Sequence, residues 1–293
     1  MPWPSLISSG AGMQIPSAKM LLFNAAGVVI GVSVLLALIR PLLVAPSTVA
    51  CSQRYGETMT FALARAGVLL TAADLQSSLG GKDSGVIDNL SITSDASGPV
   101  PVSMSVKLSK GAASPLSAAD PKGGMSFPWE PRSIRNKSAA CVSYDVWLPA
   151  DFDFSRGGRL PGLIGADAAG AESFAARIVW RPGGTGAATL RTVSGGEARQ
   201  PTAGLEGFAL PRGRWFRIEQ EVVLNTPKQA NGKLRVWVDG VLAGERSDLL
   251  FRSGASVALT GVSADIFYGG DDAAATVPKD ATVRLSPFAL RWP

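Results

Sequence analysis

Residues 20–39 read MLLFNAAGVVIGVSVLLALI, with no charge and only Asn24 and Ser33 clearly polar. A helix crossing a bilayer core needs about 20 apolar residues. The pattern therefore predicts a transmembrane anchor over 20–39, after a tail of residues 1–19 and bracketed by Lys19 and Arg40. A secretory signal is the rival reading, but its apolar run is usually about 7–15 residues. Cleavage within Ala45–Cys51 and lipidation at the partial lipoprotein site Thr48-Val49-Ala50-Cys51 are the alternatives to an uncleaved anchor. One charge on each flank barely decides orientation. The expected arrangement is a short tail inside and the large domain outside the cytoplasm, periplasmic or extracellular.

After the anchor the period changes. Residues 40–85 read as a linker with a short helix, Thr58–Leu70. From Val86 onward apolar and polar positions alternate, most strictly in Val100–Leu108 (VPVSMSVKL). Residues 109–138, rich in Gly, Ala, Ser, Pro and Lys, predict a long loop. Strands are then predicted at Ala140–Leu148, Ala176–Arg181, Ala187–Val193, Trp215–Leu224, Lys233–Val238, Val257–Leu259, Ala264–Tyr268 and Thr282–Trp292. Many short strands with Gly and Pro between them predict an all-β sandwich or barrel over 86–293.

Because successive side chains point to opposite faces of a sheet, the alternation also assigns faces. In the strand from Trp215, Phe216, Ile218, Gln220 and Val222 share one face, and Arg217, Glu219 and Glu221 share the other. In the strand from Lys233, Leu234, Val236 and Val238 face a core, while Arg235 and Trp237 face away. Asn231-Gly232 and Asp239-Gly240 are hairpin turn signals. A face mixing Trp, Arg and Glu suits a sugar groove, where aromatic rings stack on pyranoses and guanidinium groups bind carboxylates. Arg217, Glu219, Arg235 and Trp237 are therefore substrate-binding candidates. Ordinary solvated sheet surface is the alternative.

Composition narrows the chemistry. The chain has no histidine, which excludes Ser-His-Asp triads, Cys-His dyads and His-ligated metals. Two cysteines, Cys51 and Cys141, cannot build a thiolate metal cage either. In an exported chain they form one disulfide or remain two buried thiols. Charged residues make up 17% of the chain and the net charge is +5, with no basic run. Nucleic acid is therefore not an expected partner.

Several phrases together resemble a known family. Ser143-Tyr-Asp-Val-Trp-Leu-Pro-Ala-Asp-Phe-Asp-Phe precedes Gly157-Gly-Arg-Leu-Pro-Gly-Leu, and Arg177-Ile-Val-Trp follows. Gly213-Arg-Trp, Glu221-Val-Val-Leu-Asn, Gly232-Lys-Leu-Arg-Val-Trp-Val-Asp-Gly, Phe251-Arg252 and Phe267-Tyr-Gly-Gly-Asp come in order after it. Over roughly residues 100–293 the chain resembles the family 14 polysaccharide lyases, which include alginate and glucuronan lyases. The resemblance implies a β-jelly roll of two antiparallel sheets whose concave face holds an acidic polysaccharide. It implies β-elimination, in which a base takes the C5 proton of a uronate while a cation neutralises its carboxylate, with no metal or organic cofactor.

The departures from that family bear on activity. Where its pattern has Gly-Gly-Lys-Leu-Pro-Gly, this chain has Arg159. Arginine keeps the charge, but it stays protonated far above neutral pH and is therefore a poor proton acceptor or donor. Arg177 matches, Ala175 replaces a polar residue, and Ala187–Thr192 lacks the expected tyrosines. The whole chain has three tyrosines, Tyr55, Tyr144 and Tyr268. The leading expectation is an anchored lyase in which Arg159 and Arg177 neutralise the carboxylate and Tyr268 moves the proton. The alternatives are a non-catalytic carbohydrate-binding protein beside envelope polysaccharide machinery, and a structural envelope protein without a ligand.

Overall fold

The alternating stretches resolve into two antiparallel sheets packed face to face, with apolar side chains between them. In this computed structural model the described residues are 31, 49–94, 98–195, 197–198, 202–269 and 275–293. All but residue 31 belong to one unit, Thr48–Pro293. Apart from residue 31, the predicted anchor over 20–39 lies outside the described residues. Among the described residues no helix is long and apolar enough to cross a membrane.

The strands in chain order are β1 (Glu57–Thr60), β2 (Ala64–Arg65), β3 (Val68–Leu69), β4 (Leu90–Ser94), β5 (Val102–Leu108), β6 (Pro128–Trp129), β7 (Ala139–Trp147), β8 (Gly158–Ala166) and β9 (Glu172–Trp180). They continue with β10 (Thr185–Ser194), β11 (Glu197–Ala198), β12 (Thr202–Ala209), β13 (Trp215–Val223), β14 (Gly232–Val238), β15 (Val241–Leu249), β16 (Ala258–Ser263), β17 (Phe267–Tyr268), β18 (Ala281–Leu285) and β19 (Ala289–Trp292). The first sheet runs β15-β14-β13-β7-β18-β5-β4, with β19 also on β7 and β1 on β19. The second runs β11-β10-β9-β8-β16-β6, with β12 on β10 and β17 on β8. The faces predicted for the strands from Trp215 and Lys233 appear in β13 and β14 of the first sheet. Val142, Tyr144 and Val146 of β7 and Phe216, Ile218 and Val222 of β13 meet Phe174, Ala176, Ile178 and Trp180 of β9 in one core. Fully burying such a side chain stabilises by about 1.5–3 kcal/mol.

One buried polar residue explains a local motif. In β8 the register shifts between Leu160 and Leu163, so Pro161-Gly162 forms a bulge. Proline donates no hydrogen bond, and the bulge interrupts the ladder. Gln220 crosses the core to repair it: its Oε1 accepts from Leu163 N at 2.8 Å and its Nε2 donates to Ala176 O at 3.0 Å. The Tyr144 hydroxyl donates to Pro161 O at 2.7 Å. Only glycine fits at 162, where a Cβ would meet Ala176 O at 2.0 Å. The Arg-Leu-Pro-Gly-Leu phrase is thus a bulge held from the opposite sheet, with Arg159 at its entrance.

The region before Val86 departs from expectation. Thr58–Leu70 is not a helix. Residues 57–60 form an edge strand on β19, and β2 and β3 form a hairpin turning at Ala66-Gly67, both with positive φ. Among residues 49–94 the helices are α1 (Cys51–Arg54), α2 (Ala72–Leu79) and α3 (Val86–Asn89). α2 starts at a capping box, Thr71 with Asp74, and ends at left-handed Gly80. That pair of signals marks a helix, whereas apolar spacing alone does not separate a short helix from an edge strand. Residues 57–79 are built into the domain rather than forming a linker. The predicted loop 109–138 holds β6 and a 3-10 turn, Arg132–Ile134.

Candidate active site

Alternation places Ser173, Ala175 and Arg177 of β9 on the outer face of the second sheet, opposite its core residues. The register sets Thr189 beside Arg177, Arg191 beside Ala175, and Arg159 beside Val179. Ser173, Ala175, Arg159, Arg177 and Arg191 border a cleft of about 650 Å³, which Glu130, Thr260 and Ser263 also line. Two of the three predicted catalytic residues, Arg159 and Arg177, therefore come together in one cleft.

Arg177 is fixed by a buried carboxylate. Its Nε donates to Asp265 Oδ2 at 2.8 Å, and Asp265 is 1% exposed. Asp265 Oδ1 also accepts from the Ser126 and Ser263 hydroxyls at 2.8 and 2.9 Å. This bond holds one edge of the guanidinium and so orients the group in the cleft wall. The Arg159 guanidinium lies 5.3 Å from the Phe267 ring centroid, a cation-π contact that holds a mostly buried arginine at the mouth of the bulge. Glu130 pairs loosely with Lys82 at 3.7 Å. Arg191, Glu130 and Asp265 are absent from the sequence-based candidates. Arg191 was legible: it has the same alternation phase as Thr189, two residues along the strand where tyrosines were sought. The pairings of Asp265 and Glu130 are long-range and left no local signal.

Tyr268 does not reach the cleft. It is 1% exposed, stacks on Phe152 and meets Trp180 edge-on, and its hydroxyl donates to Asp153 O at 2.6 Å. The strand phase that carries Arg159 outward turns Tyr268 inward. Burial, and then the Asp153 charge, push its phenol above the usual range, so it is a poor base. Burial likewise raises Tyr144, and burial together with Glu221 raises Tyr55. Each phenol ionises near 10 when unfolded and higher when folded. The stability they contribute is therefore present below pH about 10 and is lost as pH rises toward the folded values. These are all three tyrosines of the chain. Alkaline titration of phenolate absorbance is expected to show no ordinary tyrosine, with the signal appearing only as circular dichroism reports unfolding. Ionisation of one phenol in the folded chain would refute these placements.

The four predicted substrate-binding residues lie on the other sheet, on its outer face, and are engaged structurally. Arg217 grips Asp145 with two 2.9 Å bonds. Arg235 pairs with Glu221 at 2.7 Å and with Glu245 at 3.0 Å. Glu219 accepts from Ser52 N and Oγ, each at 2.9 Å. Trp237 is fully buried beside Ala50, Cys51 and Cys141. The polar-aromatic alternation is real, but residues 50–55 cover it, so none of Glu219, Arg235 and Trp237 is open to a glycan. The cysteines form the disulfide Cys51–Cys141, with Cα atoms 5.8 Å apart. Cys51 sulfur is thus not available for lipidation. Cys51, Cys141 and Glu219 bring ligand atoms within 4.8 Å of one another. The disulfide and the Ser52 bonds occupy those atoms.

Comparison with known proteins gives one family. Residues 97–288 match the model of the polysaccharide lyase 14 family. A marine family 14 alginate lyase from Aplysia kurodai superposes with a TM-score of 0.63 at 21% identity, covering 82% of this chain and 99% of that one. An alginate lyase from a Chlorella virus superposes with a TM-score of 0.58 at 21% identity, covering 75% and 97%. No curated protein matches the chain.

Proposed function

The chain belongs to the polysaccharide lyase 14 family, and from that premise we propose that its cleft binds an acidic, uronate-containing polysaccharide through Arg159, Arg177 and Arg191. One observation carries this reading: three guanidinium groups line one cleft on a single sheet. A guanidinium fork matches a carboxylate with two parallel hydrogen bonds, and a polyuronate repeats carboxylates along its length. Alginate, for which the similar solved structures are named, is such a polymer.

Binding without fast elimination is the reading the lining favours. Elimination transfers the C5 proton of the uronate to a base, breaks the C4–O bond with a proton passing to the departing sugar oxygen, and leaves a C4–C5 double bond. Arginines serve to neutralise the carboxylate and stabilise the developing charge. They do not serve as the base. Among the described lining residues there is neither lysine nor tyrosine. Elimination is the second reading, and the Glu130 carboxylate at the same cleft favours it as the proton acceptor. The Cys51–Cys141 disulfide supports a domain that works in an oxidising compartment outside the cytoplasm, with residues 20–39 as its membrane anchor.

The test incubates the full chain with alginate, polyglucuronate and a neutral glucan. It follows the ultraviolet absorbance of unsaturated uronate and retention on affinity gels. Preferential retention by the acidic polymers with little absorbance rise is expected. Equal retention by neutral glucan would refute carboxylate recognition. A fast rise that Glu130→Gln abolishes would establish elimination instead.

A further inference from the structure

We infer that the acidic polysaccharide continues past the cleft into a second subsite, built by residues 57–82 against the edge strand β6; this rests on the proposed cleft. The second pocket has about 590 Å³, close to the cleft's own volume. Its walls include Phe61, Trp129 and Pro131, with Arg65 and Lys82 also lining it. Glu130 lines both cavities, so they adjoin at one residue. Lys82 reaches Glu130 at that junction, 3.7 Å away.

Three observations suit a glycan continuation. Trp129 is half-buried and set edge-on to Phe61 at 5.4 Å, which leaves the indole partly accessible while its position is fixed by packing. Arg65 and Lys82 are exposed cations, so the charge sign of the cleft persists beyond it, as a polyanion requires. β6 is the outermost strand of the cleft sheet, pairing with β16 through Trp129 and Val262. A chain lying across β10, β9, β8 and β16 therefore runs off the sheet over β6 and onto this pocket.

The experiment measures full-chain affinity for oligouronates of increasing length, from disaccharide to decasaccharide, by calorimetry. The wild type is expected to gain affinity when the oligomer becomes long enough to leave the cleft. Arg65→Glu, at an exposed position, is expected to reduce the ratio of long-to-short affinity by about five- to tenfold, with Lys82→Gln acting in the same direction. Using the ratio removes any effect that Lys82→Gln transmits to the cleft through Glu130. A ratio unchanged in both variants, or no gain with length in the wild type, overturns the subsite while leaving the cleft reading intact. Failure of every oligouronate to bind overturns both.

Discussion

Replacing Arg177 by alanine is expected to reduce affinity for polyuronates by tenfold or more and to leave any weak retention of neutral glucan unchanged. A hydrogen bond to a charged group contributes about 1.5–3 kcal/mol, and a factor of ten is about 1.4 kcal/mol. The same substitution is expected to lower stability, because Asp265 is 1% exposed and would lose its Arg177 bond while keeping those from Ser126 and Ser263. Removing one partner of a buried pair costs about 3–5 kcal/mol, and the partial exposure of Arg177, 19% for its side chain, puts the expected loss at the low end. The two effects separate in the double variant Arg177→Ala with Asp265→Asn. The neutral amide removes the uncompensated charge, so thermal stability is expected to recover in part. Binding is not expected to recover, because the guanidinium is still missing. Arg177→Lys keeps a point charge without the fork and is expected to fall between wild type and alanine. Full binding by Arg177→Ala, in a chain shown to be folded, would remove Arg177 from the proposed site.

How the cleft was assembled marks what the sequence disclosed. Alternation in Trp215–Val223 and Gly232–Val238 divided core from surface correctly, because a period of two is a local property of a strand. It did not disclose which surface is open. Trp237 and Glu219 are on the outward phase, yet both are buried, because residues 50–55 return from far away in sequence to cover them. Arg159 and Arg177 were found through their place in the family pattern, and the register between β8 and β9 brings them into one cleft. Gln220 carried a signal that was visible but ambiguous. A lone polar residue on a core phase calls for partners, and these turned out to be the backbone groups around the β8 bulge. The inward turn of Tyr268 depends on β17 pairing with β8 at Arg159 and Gly158, a long-range register that local composition does not encode. The Thr58–Leu70 helix failed for the opposite reason: the cap signals at Thr71 and Gly80 were local, and they marked the helix that does form.

Reducing the Cys51–Cys141 disulfide, or substituting Cys51→Ser, is expected to cause the largest loss of stability of any change outside the core. The bond closes a loop between residues 90 apart in sequence, and on the chain-entropy account such a closure contributes about 4–5 kcal/mol. For a domain of this size that corresponds to a fall in melting temperature of roughly 10–15 °C. The loss has a structural component as well. Without the bond, the segment that covers the first sheet is held by Ser52 on Glu219 and by Arg54 and Tyr55 on Glu221. Its release would expose Trp237 and leave Glu219, now 3% exposed, without the Ser52 bonds. Thermal unfolding with and without reductant measures the effect, and Cys51→Ser in oxidising buffer is expected to reproduce the reduced wild type. An unchanged melting temperature in both would show that the covering segment does not depend on the bond. Because α1 lies on the outer face of one sheet and the arginine cleft on the outer face of the other, oligouronate affinity well below the new melting temperature is expected to be unaltered. The disulfide would then act on how long the domain stays folded and not on what it binds.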